Sequence, residues 1–188
     1  FVAGVAGNAP GATFAWTLAL SVSYGLIMLT APLIGAWADA HAGKKRLLWL
    51  TTLGCVGFTA LLYWAGPGAL ALAIIALVAS NYFFGTGENL IAAFLPELAR
   101  PRALGRVSGW GWSLGYVGGL VSLAASLAWI GWAQDHGLGA DDFVRVSMVI
   151  TAALFLVASL PTLLLLRERA VPQPAQRARN AWAQVRHT

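Results

Sequence analysis

The sequence predicts an all-α polytopic membrane protein with about five transmembrane helices. Its residues are 59% hydrophobic and only 10% charged, and its mean hydropathy is +0.70. Soluble domains carry about 25% charged residues, so this chain has too little polar surface to cover a water-soluble fold. Five apolar stretches approach or exceed the roughly 20 residues that a membrane helix needs. These are residues 14–38, 47–65, 69–95, 107–132 and 143–166.

The connections on one side of the predicted membrane are basic, and those on the other side are acidic or uncharged. Eleven of the twelve basic residues fall on one side, whereas Asp135, Asp141, Asp142 and the lone Arg145 fall on the other. The positive-inside rule places the basic side in the cytoplasm, which puts residues 1–13 outside and the C-terminal tail inside. We therefore expect an integral protein of a bacterial cytoplasmic (inner) membrane. The eleven are Lys44, Lys45, Arg46, Arg100, Arg102, Arg106, Arg167, Arg169, Arg177, Arg179 and Arg186.

Several classes of function fit the sequence poorly. The three histidines lie in loops or the tail, and the single cysteine, Cys55, lies in an apolar stretch, so neither a metal site nor a disulfide framework is predicted. No glycine-rich phosphate loop with a lysine is present, and no base is placed to activate a nucleophile. The net charge of +5 follows from topology rather than from nucleic-acid binding. We predict no enzyme activity, catalytic residue or cofactor.

The first basic connection holds the most specific local pattern. Gly35 and Asp39 are four residues apart and share a helix face, and Gly43 allows a tight turn before the basic cluster Lys44, Lys45 and Arg46. The alternative is an ordinary turn with topogenic charges. The pattern resembles the signature loop between the second and third helices of the major facilitator superfamily. It departs from that signature at Ala40, which replaces a basic residue, and in one extra residue before Gly43.

A second stretch resembles the vacuole-effluxer (autophagy-related) branch of that superfamily. Pro96 and Glu97 follow a leucine near the end of the third stretch, and a glycine-rich block follows Arg106. Ala92 departs from the branch, which often has asparagine near this position. The block contains Ser108, Gly109, Gly111, Gly115, Tyr116, Gly118 and Gly119.

The two resemblances imply that the five helices are helices 2–6 of a twelve-helix transporter. Residues 1–168 are then a partial N-terminal transmembrane bundle, and residues 169–188 a cytoplasmic linker or tail. The chain starts at Phe1 rather than methionine, which favours a fragment or a processed product. The implied partners are the lipid bilayer, a missing second half and a small-molecule cargo such as amino acids or other metabolites.

Glu88 is the one acidic residue well inside an apolar stretch. A charge at that depth costs roughly 2.5–3.5 kcal/mol on insertion scales, so it needs a cavity or a partner. Glu88 shares a small, polar stripe with Asn81, and Asn89 flanks that stripe. Either these residues line a path for substrate or protons, or Glu88 pairs with a loop arginine. Tyr24 belongs to a similar stripe on the first helix, for which interhelical hydrogen bonding is the alternative.

Two further groups complete the predicted sites. Glu97 and Arg106, with Arg100 and Arg102, are expected to form a charge network with Asp39 at the inner mouth, where Asp39 accepts hydrogen bonds from Arg106 or from a helix N-terminus. The alternative is a set of solvated loop charges. A small face on the fourth helix allows close helix packing, either static or as a sliding contact between transporter halves. Its members are Gly111, Gly115, Gly118 and Gly119.

Together these patterns predict secondary active transport of a small metabolite by alternating access, as efflux or exchange. A non-transporting membrane scaffold or assembly protein is the alternative, because it would also need apolar helices, glycine faces and a charge bias. Six or so further apolar segments encoded beyond this chain would favour the transporter.

Overall fold

The computed structural model describes residues 11–66 and 68–168. Within those ranges the chain forms five long helices and no β-strand, and each helix is long and apolar enough to cross a membrane. The predicted fold class is therefore confirmed. Residues 1–10, residue 67 and residues 169–188 lie outside the described part, so the expectations for the N-terminal segment 1–13 and for the tail fall mostly or wholly outside it. The helices are α1 (Ala12–His41), α2 (Lys44–Leu61), α3 (Leu70–Leu98), α4 (Leu104–Asp135) and α5 (Ala140–Leu165).

The centre of the bundle is the antiparallel pair α2 and α3. Helix α1 packs mainly on α3, α5 packs on α2, and α4 lies at the edge, mostly against α5. Two apolar clusters lie between these helices. We call the one nearer the basic connections the basic-end cluster. Its buried members are Ala38, Leu48, Leu90, Phe94, Leu163 and Leu166.

Polar side chains join α1 to α3 at two levels. The Asn81 side-chain amide donates to the Ser23 hydroxyl across 2.8 Å, and the hydroxyls of Thr30 and Tyr82 share a hydrogen bond of 3.0 Å. Helices in lipid gain little from the hydrophobic effect, so such bonds help to hold them together. The two bonds fix the register of α1 on α3.

Helix α4 leaves its glycine face open. It meets α5 near the connection between the two helices, at the end of the bundle opposite the basic connections. There the Trp129 indole N–H donates to the Phe143 carbonyl across 3.2 Å. Nearer the basic end, residues 109–121 are all exposed. No atom of the described chain lies close enough to contact a Cβ added at Gly111, Gly115, Gly118 or Gly119. Close packing of this face stays a prediction, since none of the described helices occupies it.

Candidate functional site at the basic end of the bundle

The α1–α2 turn places Lys44 at the basic end of the bundle. Helix α1 ends at His41, Ala42 adopts a left-handed conformation with φ of 47°, and the Gly43 N–H donates to the Ala38 carbonyl across 3.0 Å. The Trp37 ring covers Gly43 so closely that an added Cβ would lie 2.8 Å from the Trp37 Cζ3 atom. A larger residue at position 43 would have to displace the Trp37 ring, so glycine allows the ring to approach closely. The left-handed conformation of the turn is at Ala42 and not at Gly43, whose φ is −111°.

Lys44 lies between two carboxylates from different helices. Its Nζ atom is 3.1 Å from Asp39 Oδ1, at the end of α1, and 3.0 Å from Glu97 Oε1, at the end of α3. The Lys44 side chain is only 11% exposed and that of Glu97 is 16% exposed, whereas that of Asp39 is 58% exposed. Hydrogen bonds between ionised groups are stronger than neutral ones, so this bridge joins α1, α2 and α3.

Glu168 adds a fourth element to the same site. Its Oε1 atom accepts a hydrogen bond of 2.8 Å from the Lys44 backbone N–H, and its Oε2 atom accepts one of 3.1 Å from the Lys45 backbone N–H. These two N–H groups belong to the first turn of α2, where backbone N–H groups have no acceptor within the helix. The carboxylate also lies at the positive end of the helix dipole, which favours it further. Residue Leu166, buried in the basic-end cluster, anchors the segment that carries Glu168.

We call Asp39, Lys44, Glu97 and Glu168 the ionic cluster. Asp39, Lys44 and Glu97 are all among the residues predicted for the inner gate, but Lys44 is expected in the basic cluster of the turn and not in the charge network of Asp39, and Glu168 is not predicted. Its partners lie more than 120 residues away along the chain. The one available signal is that Glu168 is the sole acid after Asp142 and stands between Arg167 and Arg169.

The structure gives Asp39 a different cation from the one that the sequence predicts. Lys44 rather than Arg106 binds it, because the tight turn folds the start of α2 back towards the end of α1. Arg106 lies at the start of the peripheral α4 and is exposed, as are Arg100 and Arg102. Among the described residues none of these arginines has an ion pair. The N-terminus of α2, the helix that follows Asp39 in the chain, is capped by Glu168.

The remaining motif residues lie around the ionic cluster. Gly35 is half-buried and has no neighbour close to its Cβ position, so the close helix approach expected there is not made by the described residues. Lys45 and Arg46 line an open cleft with Trp37 and Trp49.

The predicted path residues are not joined to one another. Asn81 is half-buried and bonded to Ser23, as described above, whereas Tyr24, Glu88 and Asn89 are exposed. Glu88 lies ten residues before the end of α3, about 15 Å along its axis, and makes no ion pair with a described residue. The described residues also hold no group of three or more histidine, cysteine or acidic side chains that could bind a metal.

Comparison with known proteins decides the family. The family model described as "Vacuole effluxer Atg22 like" matches residues 11–188. The chain belongs to this family. A relative in this comparison is the uncharacterized MFS-type transporter YxiO of Bacillus subtilis (strain 168), which is 25% identical over 160 residues. No solved structure matches the chain.

The Atg22-like match confirms the resemblance carried by the first basic connection and by the glycine-rich block of α4. The aligned region covers 84% of this chain but 37% of YxiO, so the chain spans little more than a third of that relative's length. The comparison therefore relates these five helices to only part of YxiO, which is the longer protein.

Proposed function

We propose that this chain is part of a secondary transporter that exports or exchanges a small metabolite by alternating access. Amino acids are the first cargo class to test. The observation that carries the proposal is the ionic cluster, which joins three helices and the segment after α5 at one end of a bundle of the Atg22-like family. A transporter that rocks around a midplane site must close and open each end in turn, and this cluster would hold the basic end closed.

The strength of the ionic cluster suits a gate that opens reversibly. Hydrogen bonds to charged groups contribute about 1.5–3 kcal/mol each when shielded from water, and less when exposed. Lys44 and Glu97 are shielded and Asp39 is largely exposed, so water can enter from the Asp39 side. The helices can then separate without leaving a fully buried charge.

The function is tested with the full-length protein in liposomes. Liposomes that contain the protein and a preloaded pool of unlabelled amino acid should take up more radiolabelled amino acid than preloaded liposomes without the protein. The Asp39→Asn variant should insert and fold normally but lose this uptake. A folded wild-type protein that exchanges no member of a broad panel of small metabolites would support the scaffold alternative instead.

The orientation of the bundle is a second testable part of the proposal. Single cysteines at positions 102 and 141, on a Cys55→Ala background, should be labelled from opposite sides of the membrane by an impermeant maleimide. The reason is the eleven-to-one division of basic residues between the two sides. Position 102 should react only from the cytoplasm, and labelling of position 141 from that side alone would contradict the topology.

We further propose that Glu88 faces the substrate path and carries a coupling proton or binds a cationic group of the cargo. Glu88 is exposed on α3 at membrane depth and has no ion partner among the described residues. An ionised carboxylate that faced lipid at this depth would carry a free-energy cost of several kcal/mol. If it couples protons, Glu88→Gln should abolish proton-driven accumulation yet preserve exchange. The matched control is Ile91→Ala, which changes an exposed residue of the same helix without removing a charge. Unchanged accumulation with unchanged pH dependence in Glu88→Gln would exclude the role.

A further inference from the structure

An open cleft of about 800 Å³ lies beside the ionic cluster, at the α1–α2 turn. Its lining includes Trp37 and His41, whose rings stack with centroids 4.7 Å apart. Lys45, Arg46 and Trp49 from the first turns of α2 also line it, as does Glu168. The lining thus includes two tryptophans and two cations that are not members of the ionic cluster, and the cleft shares Glu168 with that cluster.

The depth of the cleft places it among lipid headgroups. Helix α1 has 30 residues and is about 45 Å long, whereas the hydrocarbon core of a bilayer is about 30 Å thick. The end of α1 therefore reaches the headgroup region. Trp37 lies one turn before that end and Trp49 lies in the second turn of α2. Tryptophan favours this interfacial level, where its ring meets both lipid chains and polar groups.

The charges of the cleft favour an anion. Neither Lys45 nor Arg46 forms an ion pair with any acidic side chain that the structure describes. Glu168 is the one acid of the lining, and both its oxygens already accept N–H groups of α2. Residues 169–188 contain four arginines and no acidic side chain, so they offer these cations no side-chain carboxylate. Phosphates of anionic lipids lie at this level of the membrane and carry the charge that complements these two cations.

We infer that this cleft binds the phosphate headgroup of an anionic membrane phospholipid. Lys45 and Arg46 contact the phosphate, and Trp37 and Trp49 pack against the glycerol and the first methylenes of the acyl chains. Basic pockets between helices suit such headgroups, and each cation near a membrane surface contributes about fivefold to the affinity for anionic lipid. The bound lipid would lie against the α1–α2 turn, next to Lys44.

The inference is tested by native mass spectrometry of the full-length protein, titrated in detergent with phosphatidylglycerol. The wild-type protein should bind one lipid more tightly than all others. The Lys45→Gln/Arg46→Gln double variant should bind it about 25-fold more weakly, from about fivefold for each cation removed. The matched control is Arg100→Gln/Arg102→Gln, which removes two exposed cations at the same end but outside the cleft, and should bind as the wild type does. Circular dichroism and thermal unfolding confirm that each variant is folded.

Two further arms identify the source of the phosphate. Phosphatidylcholine, which has no net charge, should not occupy the site, and excess inorganic phosphate should not displace phosphatidylglycerol. Displacement by inorganic phosphate would mean that the cleft binds a free anion, and equal binding of phosphatidylcholine would mean that the tryptophans hold acyl chains without regard to charge. Equal phosphatidylglycerol affinity in the wild type and the cleft variant would also overturn the proposal.

Discussion

Replacing Lys44 with glutamine should lower the free energy of unfolding by about 3 kcal/mol and abolish transport by the full-length protein. The ammonium group holds carboxylates from α1 and α3 at 3.1 and 3.0 Å. Removing one partner of a buried ion pair costs about 3–5 kcal/mol, because the other charge stays behind. The exposure of Asp39 favours the lower end of that range. Unfolding in mixed micelles gives the free energy, and liposome uptake gives the rate.

The matched control for this prediction is Lys45→Gln. Lys45 is the next residue of α2 and shares the cap from Glu168, but its ammonium group has no described ion partner. Without anionic lipid, its replacement should change stability by less than about 0.5 kcal/mol. Adding Glu97→Gln to Lys44→Gln removes one of the two carboxylates that face Lys44 and should recover part of the lost stability. Equal stabilities of Lys44→Gln and Lys45→Gln would show that the bridge contributes nothing.

Replacing Glu168 with alanine should destabilise the start of α2 by about 2 kcal/mol. The variant loses two hydrogen bonds to a charged acceptor and the favourable interaction with the helix dipole, although water takes over part of both. Hydrogen–deuterium exchange should show faster exchange of the Lys44 and Lys45 amides. Exchange in the middle of α3 should stay unchanged.

Two variants bracket the Glu168 prediction. Glu168→Gln keeps one acceptor oxygen without the charge, so its amides should exchange at an intermediate rate. Arg167→Ala removes an exposed neighbour in the same segment and should behave as the wild type. If Glu168→Ala leaves the exchange of both amides unchanged, the carboxylate does not cap α2 in solution.

The sequence predicts the helices well and the contacts between them poorly, for physical reasons. A membrane helix needs a long apolar stretch, and such a stretch is visible in one dimension. The five predicted spans therefore differ by only a few residues from the structure. An ion pair is chosen by geometry instead. Asp39 has several cations within reach along the chain, and only the tight turn over Gly43 shows that Lys44 reaches it.

Glu168 and the glycine face of α4 show two other limits on predicting contacts from sequence. Glu168 acts on backbone N–H groups, which every helix N-terminus offers, so no residue pattern marks its partner. Small residues on α4 indicate that something can pack closely there, but small size carries no information about what does. The described helices leave that face open, and the sequence of this chain alone does not name its occupant.

The most direct test of the gate is the reactivity of a cysteine placed behind the ionic cluster. Ala38 is 1% exposed, lies next to Asp39 and packs in the basic-end cluster, so a cysteine there reacts only when this end opens. On a Cys55→Ala background, an impermeant maleimide should label position 38 slowly in otherwise wild-type protein. With Glu168→Ala or Lys44→Gln added, labelling should be at least about 30-fold faster, as expected when opening becomes about 2 kcal/mol easier. Equal labelling rates with and without the ionic cluster would contradict its role in closing the basic end.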